Sequence, residues 1–440
     1  MSKSRGKSEC PIFATVLSSL RWVGAAAILS LAAHAQQLPP LETANALGAQ
    51  IQAATESTGM VMVVVRDGDV YLQSYGETAP GSGQKPDAHS LVRLCSLSKI
   101  LATDLLTKLV ADGTVHFTDT LQHFAPEGVH VPIMTLHGPV LREMTLGYLA
   151  THTSGLPREV GPTPHGVSYF AFPDHAYRWA WLPRQKLITT PGTYAAYSNI
   201  GFDLLGDALE EASGKPYAQL FAERTAQPLG LTETTLTPTP EQCGRLMLSA
   251  HRGDACGDTQ ASAGAGGMYS TANDMTLWLK YLLSLPGVPV HQNSAAQAVY
   301  VDPRDLKGIK GLHHAGEPTG IGLGWLRMGD PADPSMIIQK TGGGGGFTTY
   351  IARNHARHAG VFIAATDGPH YTSTHMFQQI NNLLLAISGL PPQALPVEPE
   401  ASPVHTRSAS PHSKRHPRGS GSKAAPTPHR STHASRRHPV

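Results

Sequence analysis

Two blocks of β-forming sequence stand at opposite ends of the chain, and their separation limits the possible folds more than any single motif does. The first, "GMVMVVVRDGDVYLQSYGET" at 59–78, reads as two strands joined by Arg66-Asp67-Gly68-Asp69, a hairpin signal. The second gathers "GIGLGWLRM" (320–328), "SMIIQKTG" (335–342), "FTTYIARN" (347–354) and "AGVFIAATDG" (359–368). Between them, residues 114 to about 290 read mostly as helices and loops, with amphipathic patterns in "NIGFDLLGDALEEASG" and "TANDMTLWLKYLLSL". A further helix is predicted where Ile100, Leu101, Leu105, Leu106 and Leu109 recur at helical spacing before Gly113, and "STHMFQQINNLLLAISG" makes the last one. No internal repeat is present. This order predicts an α/β (α+β) fold in which N- and C-terminal segments complete one sheet and a mainly helical domain is inserted between them.

The 440 residues, 40% hydrophobic and 15% charged, suffice for a sizeable core, but the two ends do not share that character. Lys3, Arg5, Lys7 and Arg21 precede the apolar run "WVGAAAILSLAAHA", which closes on Ala33-His34-Ala35. Residues 1–35 are therefore predicted to be a signal peptide cleaved after Ala35, with export to the periplasm, because Trp22–Ala35 is shorter than the roughly 20 residues of a spanning helix. From residue 391 the chain is rich in Pro, Ser, His and Arg, and 391–440 is predicted to be a disordered tail. That tail carries a net +6 and the leader +3, so the overall +2 leaves residues 36–390, the predicted catalytic domain, at about −7. An acidic body argues against nucleic acid as a partner. The tail could make a weak electrostatic contact with an anionic wall or membrane surface.

Cys10 belongs to the leader. Cys243 and Cys256 bracket the short polar stretch "GRLMLSAHRGDA", and in an exported chain that proximity favours a disulfide. Cys95, with Leu94 and Leu97 as neighbours, reads as a buried, inert thiol.

Three short motifs carry chemistry. In "LCSLSKILATDLL" Ser96 and Lys99 are three residues apart at a helix start, so one turn puts both side chains on one face. A lysine of lowered pKa at hydrogen-bond reach can take the serine's proton and make a nucleophile of it. In "PGTYAAYSNIGFDLLG", Tyr197 could serve as a base if two ammonium groups, such as Lys99 and Lys340, stabilised its phenolate, and Asn199 offers a donor and an acceptor suited to a substrate amide. In "IIQKTGGGGGFTTYIARN" Lys340 and Thr341 precede five glycines and then a β-like segment, the reverse of the order a phosphate loop requires. The histidines, among them His152, His313 and His314, form no recognisable metal-ligand set, and His152 reads as a structural residue. No metal or organic cofactor is expected.

Ser-x-x-Lys, Tyr-x-Asn and Lys-Thr-Gly, in that order and separated by roughly a hundred and then a hundred and forty residues, follow the motif logic of the active-site serine penicillin-recognising enzymes. Over about residues 45–390, including "LATHTSGLP" at 149–157 and "GAGGMYSTANDM" at 264–275, the sequence resembles the class C β-lactamase and low-molecular-weight penicillin-binding protein superfamily. Within it, the glycine-rich third motif, the cysteine pair and the "LLLAISG" ending resemble the AmpH type of D-alanyl-D-alanine carboxypeptidase/endopeptidase. The resemblance implies a β-lactamase/transpeptidase-like fold, an antiparallel sheet flanked by helices, and an exported hydrolase that acts on peptidoglycan peptides and binds β-lactams. Ser96 would be the nucleophile, with Lys99 and Tyr197 moving its proton. Lys340 and Thr341 would hold the substrate carboxylate, and the backbone N–H groups of Ser96 and Gly343 would form the oxyanion hole. Gly344, Gly345 and Gly346 are expected only to turn the chain into the next strand. A class C-type β-lactamase, an esterase on the same fold and a non-catalytic wall-binding protein are the alternatives.

Overall fold

The run Met60–Val65 has no polar residue to turn toward water, and the structure buries both of its faces. Met60, Met62 and Val64 point into one hydrophobic cluster, while Val61, Val63 and Val65 point into another. This computed structural model describes residues 39–136, 140–251, 253–285 and 293–393, so the expected leader and nearly all of the expected tail lie outside the described residues.

Seven strands make the central sheet: β1 (Gly59–Arg66), β2 (Asp69–Gly76), β3 (Gly320–Ile321), β4 (Leu326–Met328), β5 (Ile337–Gly344), β6 (Phe347–Asn354) and β7 (Ala359–Thr366). Their spatial order is β2-β1-β7-β6-β5-β4-β3, with every neighbouring pair antiparallel. The N-terminal hairpin thus closes onto the last strand, as the two separated β blocks require. Its turn is Asp67-Gly68, with φ of 52° and 97°, and the β5–β6 hairpin turns at Gly345-Gly346, with φ of 58° and 82°. Two central residues at positive φ are what a tight two-residue hairpin needs to follow the strand twist.

One face of the sheet is covered by α1 (Ala44–Thr55) and α5 (Met376–Ile387), whose Ile51, Ile380 and Leu384 share a cluster with Met62, Tyr350 and Ile363. Each such buried side chain contributes about 1.5–3 kcal/mol relative to an exposed one. The opposite face takes α2 (Ser98–Ala111), α3 (Asn199–Ser213) and α4 (Ala272–Leu282), which fall in the segment inserted between β2 and β3. Within that insertion Leu91–Arg93 pairs with Tyr269–Thr271, and Ala195–Ala196 runs parallel to Ile309–Lys310.

Some expectations change. The "NIGFDLLGDALEEASG" helix is not amphipathic along its first eleven residues, because Asn199–Leu209 are all buried. The acids that suggested a wet face are satisfied inside: Arg178 Nε donates to Asp207 Oδ2 at 2.6 Å, and Asp203 Oδ1 accepts from the Ala265 N–H at 3.1 Å. "GIGLGWLRM" is two short strands rather than one, split by a turn in which Gly322 N donates to Trp325 O at 2.8 Å. The body also reaches past residue 390, since Gln393 N donates to Asn382 Oδ1 at 2.8 Å and Asn382 Nδ2 donates to Gln393 O at 3.0 Å.

Cys243 and Cys256 are joined as a disulfide with their Cα atoms 5.6 Å apart. Cys95 is 1% exposed, and burial pushes its thiol up to about 12. Among the described residues no helix is long and apolar enough to cross a membrane.

Candidate active site

Ser96 sits in a 3-10 turn, Cys95–Leu97, that runs directly into α2. Ser98 locks the turn by donating to Cys95 O at 2.7 Å and accepting from Met268 N at 3.0 Å. One helical turn on, Lys99 brings Nζ to 3.5 Å from Ser96 Oγ, a long contact. The ammonium also donates to Asn199 Oδ1 and to Ala265 O, both at 2.6 Å. Lys99 is fully buried; that burial lowers its pKa to about 7, against the opposing pull of the Asp203 and Glu159 charges. Burial thus favours the neutral amine, the form that can accept a proton.

Tyr197 follows the Ala195–Ala196 strand and precedes Ser198, whose Oγ caps α3 by accepting from Gly201 N at 2.9 Å. Pinned between strand and cap, Tyr197 directs its hydroxyl to Ser96 Oγ at 2.6 Å. The loop "THTSGLPRE" wraps this motif: His152 O accepts from Ala196 N at 2.8 Å, His152 Nδ1 from Ser198 N at 3.1 Å, and Arg158 O from Asn199 N at 2.9 Å. His152 stacks on Tyr197 with ring centroids 4.5 Å apart, and burial together with the nearby cations holds its pKa far below the usual imidazole range. The neutral ring is packing for Tyr197, as expected of a structural histidine.

Lys340 and Thr341 lie on β5, paired across from Ile351 and Tyr350 on β6. Lys340 is 2% exposed, its Nζ lies 5.0 Å from the Tyr197 ring centroid, and it donates to Thr341 O at 3.1 Å. Burial lowers its pKa to about 8, partly offset by Tyr197. At Gly342 a Cβ would stand 2.2 Å from Thr349 Oγ1 and 2.8 Å from Leu94 O, so only glycine lets β5 approach the nucleophile's own loop. Gly343 lines the cleft beside Ser96, and a Cβ there would stand 3.8 Å from the Phe347 carbonyl oxygen.

The structure thus brings together Ser96, Lys99, Tyr197, Asn199, Lys340, Thr341 and Gly343. Asn199 lines the cleft with Ser96, and there its two N–H groups go to Glu159 Oε1 (2.5 Å) and to the Tyr169 hydroxyl oxygen (2.9 Å). It therefore links Lys99 to a carboxylate. Glu159, Tyr169, Asp203 and Arg158 are site neighbours that the sequence reading missed. For Asp203 a signal existed, an acid four residues after Asn199 within an otherwise apolar helix stretch. Arg158, Glu159 and Tyr169 had none, because their place depends on how the segments around Tyr197 and Asn199 wrap the site. Of the other histidines, His313 Nδ1 lies 2.9 Å from Glu317 Oε2, and His314 lines the cleft.

Known proteins are similar to this chain to different depths. The β-lactamase family model matches residues 45–385. D-alanyl-D-alanine-carboxypeptidase/endopeptidase AmpH of Escherichia coli K12 is 41% identical over 344 residues, covering 77% of this chain and 87% of that protein. The crystal structure of a β-lactamase/D-alanine carboxypeptidase from Yersinia pestis, complexed with citrate, superposes with a TM-score of 0.74 at 39% identity, covering 80% of this chain and all of that one. A class C β-lactamase from Rhodobacter sphaeroides, at 21% identity and a TM-score of 0.61, covers 78% of this chain and 98% of its own and shares the fold. With the family model spanning more than three quarters of its length and a relative of 41% identity alongside, this chain belongs to the β-lactamase family.

Proposed function

We propose that the chain is a serine D-alanyl-D-alanine carboxypeptidase/endopeptidase acting on peptidoglycan peptides. The observation that carries the reading is the placement of Ser96 Oγ 2.6 Å from Tyr197 OH and 3.5 Å from Lys99 Nζ, with Lys99 fully buried and Tyr197 half-buried at the cleft wall. Ser96 Oγ attacks the carbonyl of the penultimate D-Ala, and its proton passes to the Tyr197–Lys99 pair. Negative charge that develops on the carbonyl oxygen faces the N–H groups of Ser96 and Gly343. The C–N bond then breaks as the leaving amine takes the proton, leaving an ester on Ser96. Water adds to that ester with the same pair as base, Ser96 recovers its proton and the shortened peptide departs.

Cys95 is not the nucleophile in this scheme. Its thiol, pushed up to about 12 by burial, is turned to Gly344 O at 3.3 Å. The basic and then apolar opening, ending Ala33-His34-Ala35, supports export to the periplasm with cleavage after Ala35. The basic composition of the final segment supports weak contact with an anionic wall or membrane.

The same machinery opens β-lactams, and the 23% identity to an Escherichia coli β-lactamase keeps that activity as the second reading. Purified protein incubated with muropeptides and, separately, with a chromogenic cephalosporin separates the two. D-Ala release with slow cephalosporin turnover is expected. Fast cephalosporin turnover with intact muropeptides overturns the peptidase reading.

A further inference from the structure

We infer that Arg158 is the residue that reads the free carboxylate of the substrate's leaving residue, a specificity role that rests on the peptidase reading above. The carboxylate carbon of a leaving D-Ala is two covalent bonds from the scissile nitrogen, roughly 2.5 Å away. Its cationic partner must therefore face the cleft immediately beside Ser96 and Tyr197.

Neither lysine meets that condition in this structure. Lys99 is fully buried with its ammonium given to Asn199 and Ala265, and Lys340 is 2% exposed with Nζ turned to the Thr341 carbonyl. Arg158 does meet it. Its side chain is 57% exposed, its Cζ lies 4.6 Å over the Tyr197 ring, and it lines a recess of about 200 Å³ together with Ser96, Thr341 and Ser373.

The guanidinium is only loosely engaged, by a long ion pair and by the Tyr197 ring. Its nearest carboxylate is Glu159, with Nε to Oε1 at 3.7 Å, and that oxygen already accepts from Asn199 and Tyr169. Among the described residues no hydrogen-bond partner holds the guanidinium of Arg158. A planar fork of free N–H donors beside a threonine hydroxyl fits a carboxylate bidentately, which a buried ammonium cannot do. His314, in the same recess, is biased toward its neutral form by burial and by Arg158 and Lys340, so Arg158 is the permanent charge there. The main chain of Arg158 is fixed separately, since its carbonyl accepts from Asn199 N and Ile200 N and caps α3. Changing the side chain leaves that cap in place.

The test compares a peptide ending in D-Ala-D-Ala as the free acid with the same peptide as its C-terminal amide. The kcat/KM ratio of acid to amide is measured for wild type, Arg158→Ala, Arg158→Gln and Arg158→Lys, with melting temperature and penicillin-labelling stoichiometry confirming that each variant is folded. The ratio is expected to fall about 10- to 100-fold in the alanine and glutamine variants, the range for a hydrogen bond to a charged group. Lysine should restore part of it by keeping charge without the fork. A wild-type ratio in a folded Arg158→Ala protein overturns the inference, because a side chain that merely steadies Tyr197 would slow both substrates alike. Failure of wild type to release D-Ala from the acid overturns the peptidase reading instead. Arg158 is then judged from acylation by benzylpenicillin and by its methyl ester, with an unchanged acid-to-ester ratio in the variant counting against it.

Discussion

The two faces of the central sheet are built from different chemistry. Against α1 and α5 the buried groups are almost wholly apolar, with Tyr350 OH donating to Asn381 Oδ1 at 2.7 Å as a satisfied exception. Against α2 and α3 the interior holds Lys99, Asp104, Arg178, Asp203 and Asp207, each under 5% exposed except Asp207 at 6%. The first face stabilises by removing hydrocarbon from water, and any residue of similar shape serves. The second contains charges whose desolvation is costly and which persist only because each finds a partner. Lys99 and Asp203 are the exceptions, since burial lowers the pKa of the first and raises that of the second, and Lys99 is the group needed as a base. The comparison teaches that the reactive lysine depends on a scaffold of better-paired charges around it.

The sharpest way to separate the faces is to remove the nucleophile. Ser96→Ala should lower acylation by at least about 10⁴-fold with no loss of stability, read as the disappearance of fluorescent-penicillin labelling. Labelling that persists, or that moves to Cys95, would refute the assignment.

Next comes the buried pair behind the site. Burial pushes Asp207 up, but the hydrogen bonds and charges of Arg178 and His175 outweigh it and hold its pKa below the usual carboxylate range. Arg178→Met strands that carboxylate and should cost about 3–5 kcal/mol in denaturant unfolding. The sign with pH follows from the lowered pKa. The contribution of Asp207 is present above its unfolded value and is lost as pH falls through the folded one, so the stability gap between wild type and Arg178→Met should narrow in acid. On the opposite face Leu384→Ala should cost about 2–5 kcal/mol through a cavity, with the same gap at every pH and kcat per folded molecule unchanged. A strongly pH-dependent gap for Leu384→Ala would break the comparison.

A smaller effect concerns the pH–rate profile. Proton acceptance by Lys99 requires its neutral form, so kcat/KM should rise as pH passes about 7. If the site needs Lys340 charged, the rate should fall as pH passes about 8. Lys340→Arg, which stays charged, should move only the alkaline limb, and an unshifted limb would assign it to another group. The smallest effect is expected from truncation after Gln393, which removes a net +6 and no residue of the described body. Melting temperature and hydrolysis of soluble muropeptide should be unchanged, whereas binding to sacculi at low salt should weaken. Equal pull-down of both forms would remove any role of that segment in wall contact.

Features with a local cause were legible in the sequence. Ser96 and Lys99 meet because a helix repeats every 3.6 residues, and Asp67-Gly68 turns a hairpin because both residues tolerate positive φ. The two separated β blocks announced one sheet with an inserted domain, since strands need partners and these stretches had only each other. The glycine run was legible in part: the turn at Gly345-Gly346 is a local property, but the need for glycine at Gly342 comes from the Thr349 hydroxyl and the Leu94 carbonyl.

Tertiary structure alone decided the rest. The sequence offered Asn199 as a substrate contact and Lys340 with Thr341 as holders of the carboxylate, because a side chain's type indicates what it can bind but not which neighbours it meets in the fold. Folding gave the donors of Asn199 to Glu159 and Tyr169 and buried the ammonium of Lys340 against Tyr197. It also carried Arg158 and Glu159, unremarkable loop residues, to the mouth of the cleft. The residue types, their order and the local periodicities were therefore determined by the sequence. Which charges are dry, which donors are engaged and which side chains line the cleft depend on contacts between segments distant in the sequence, and only packing sets those.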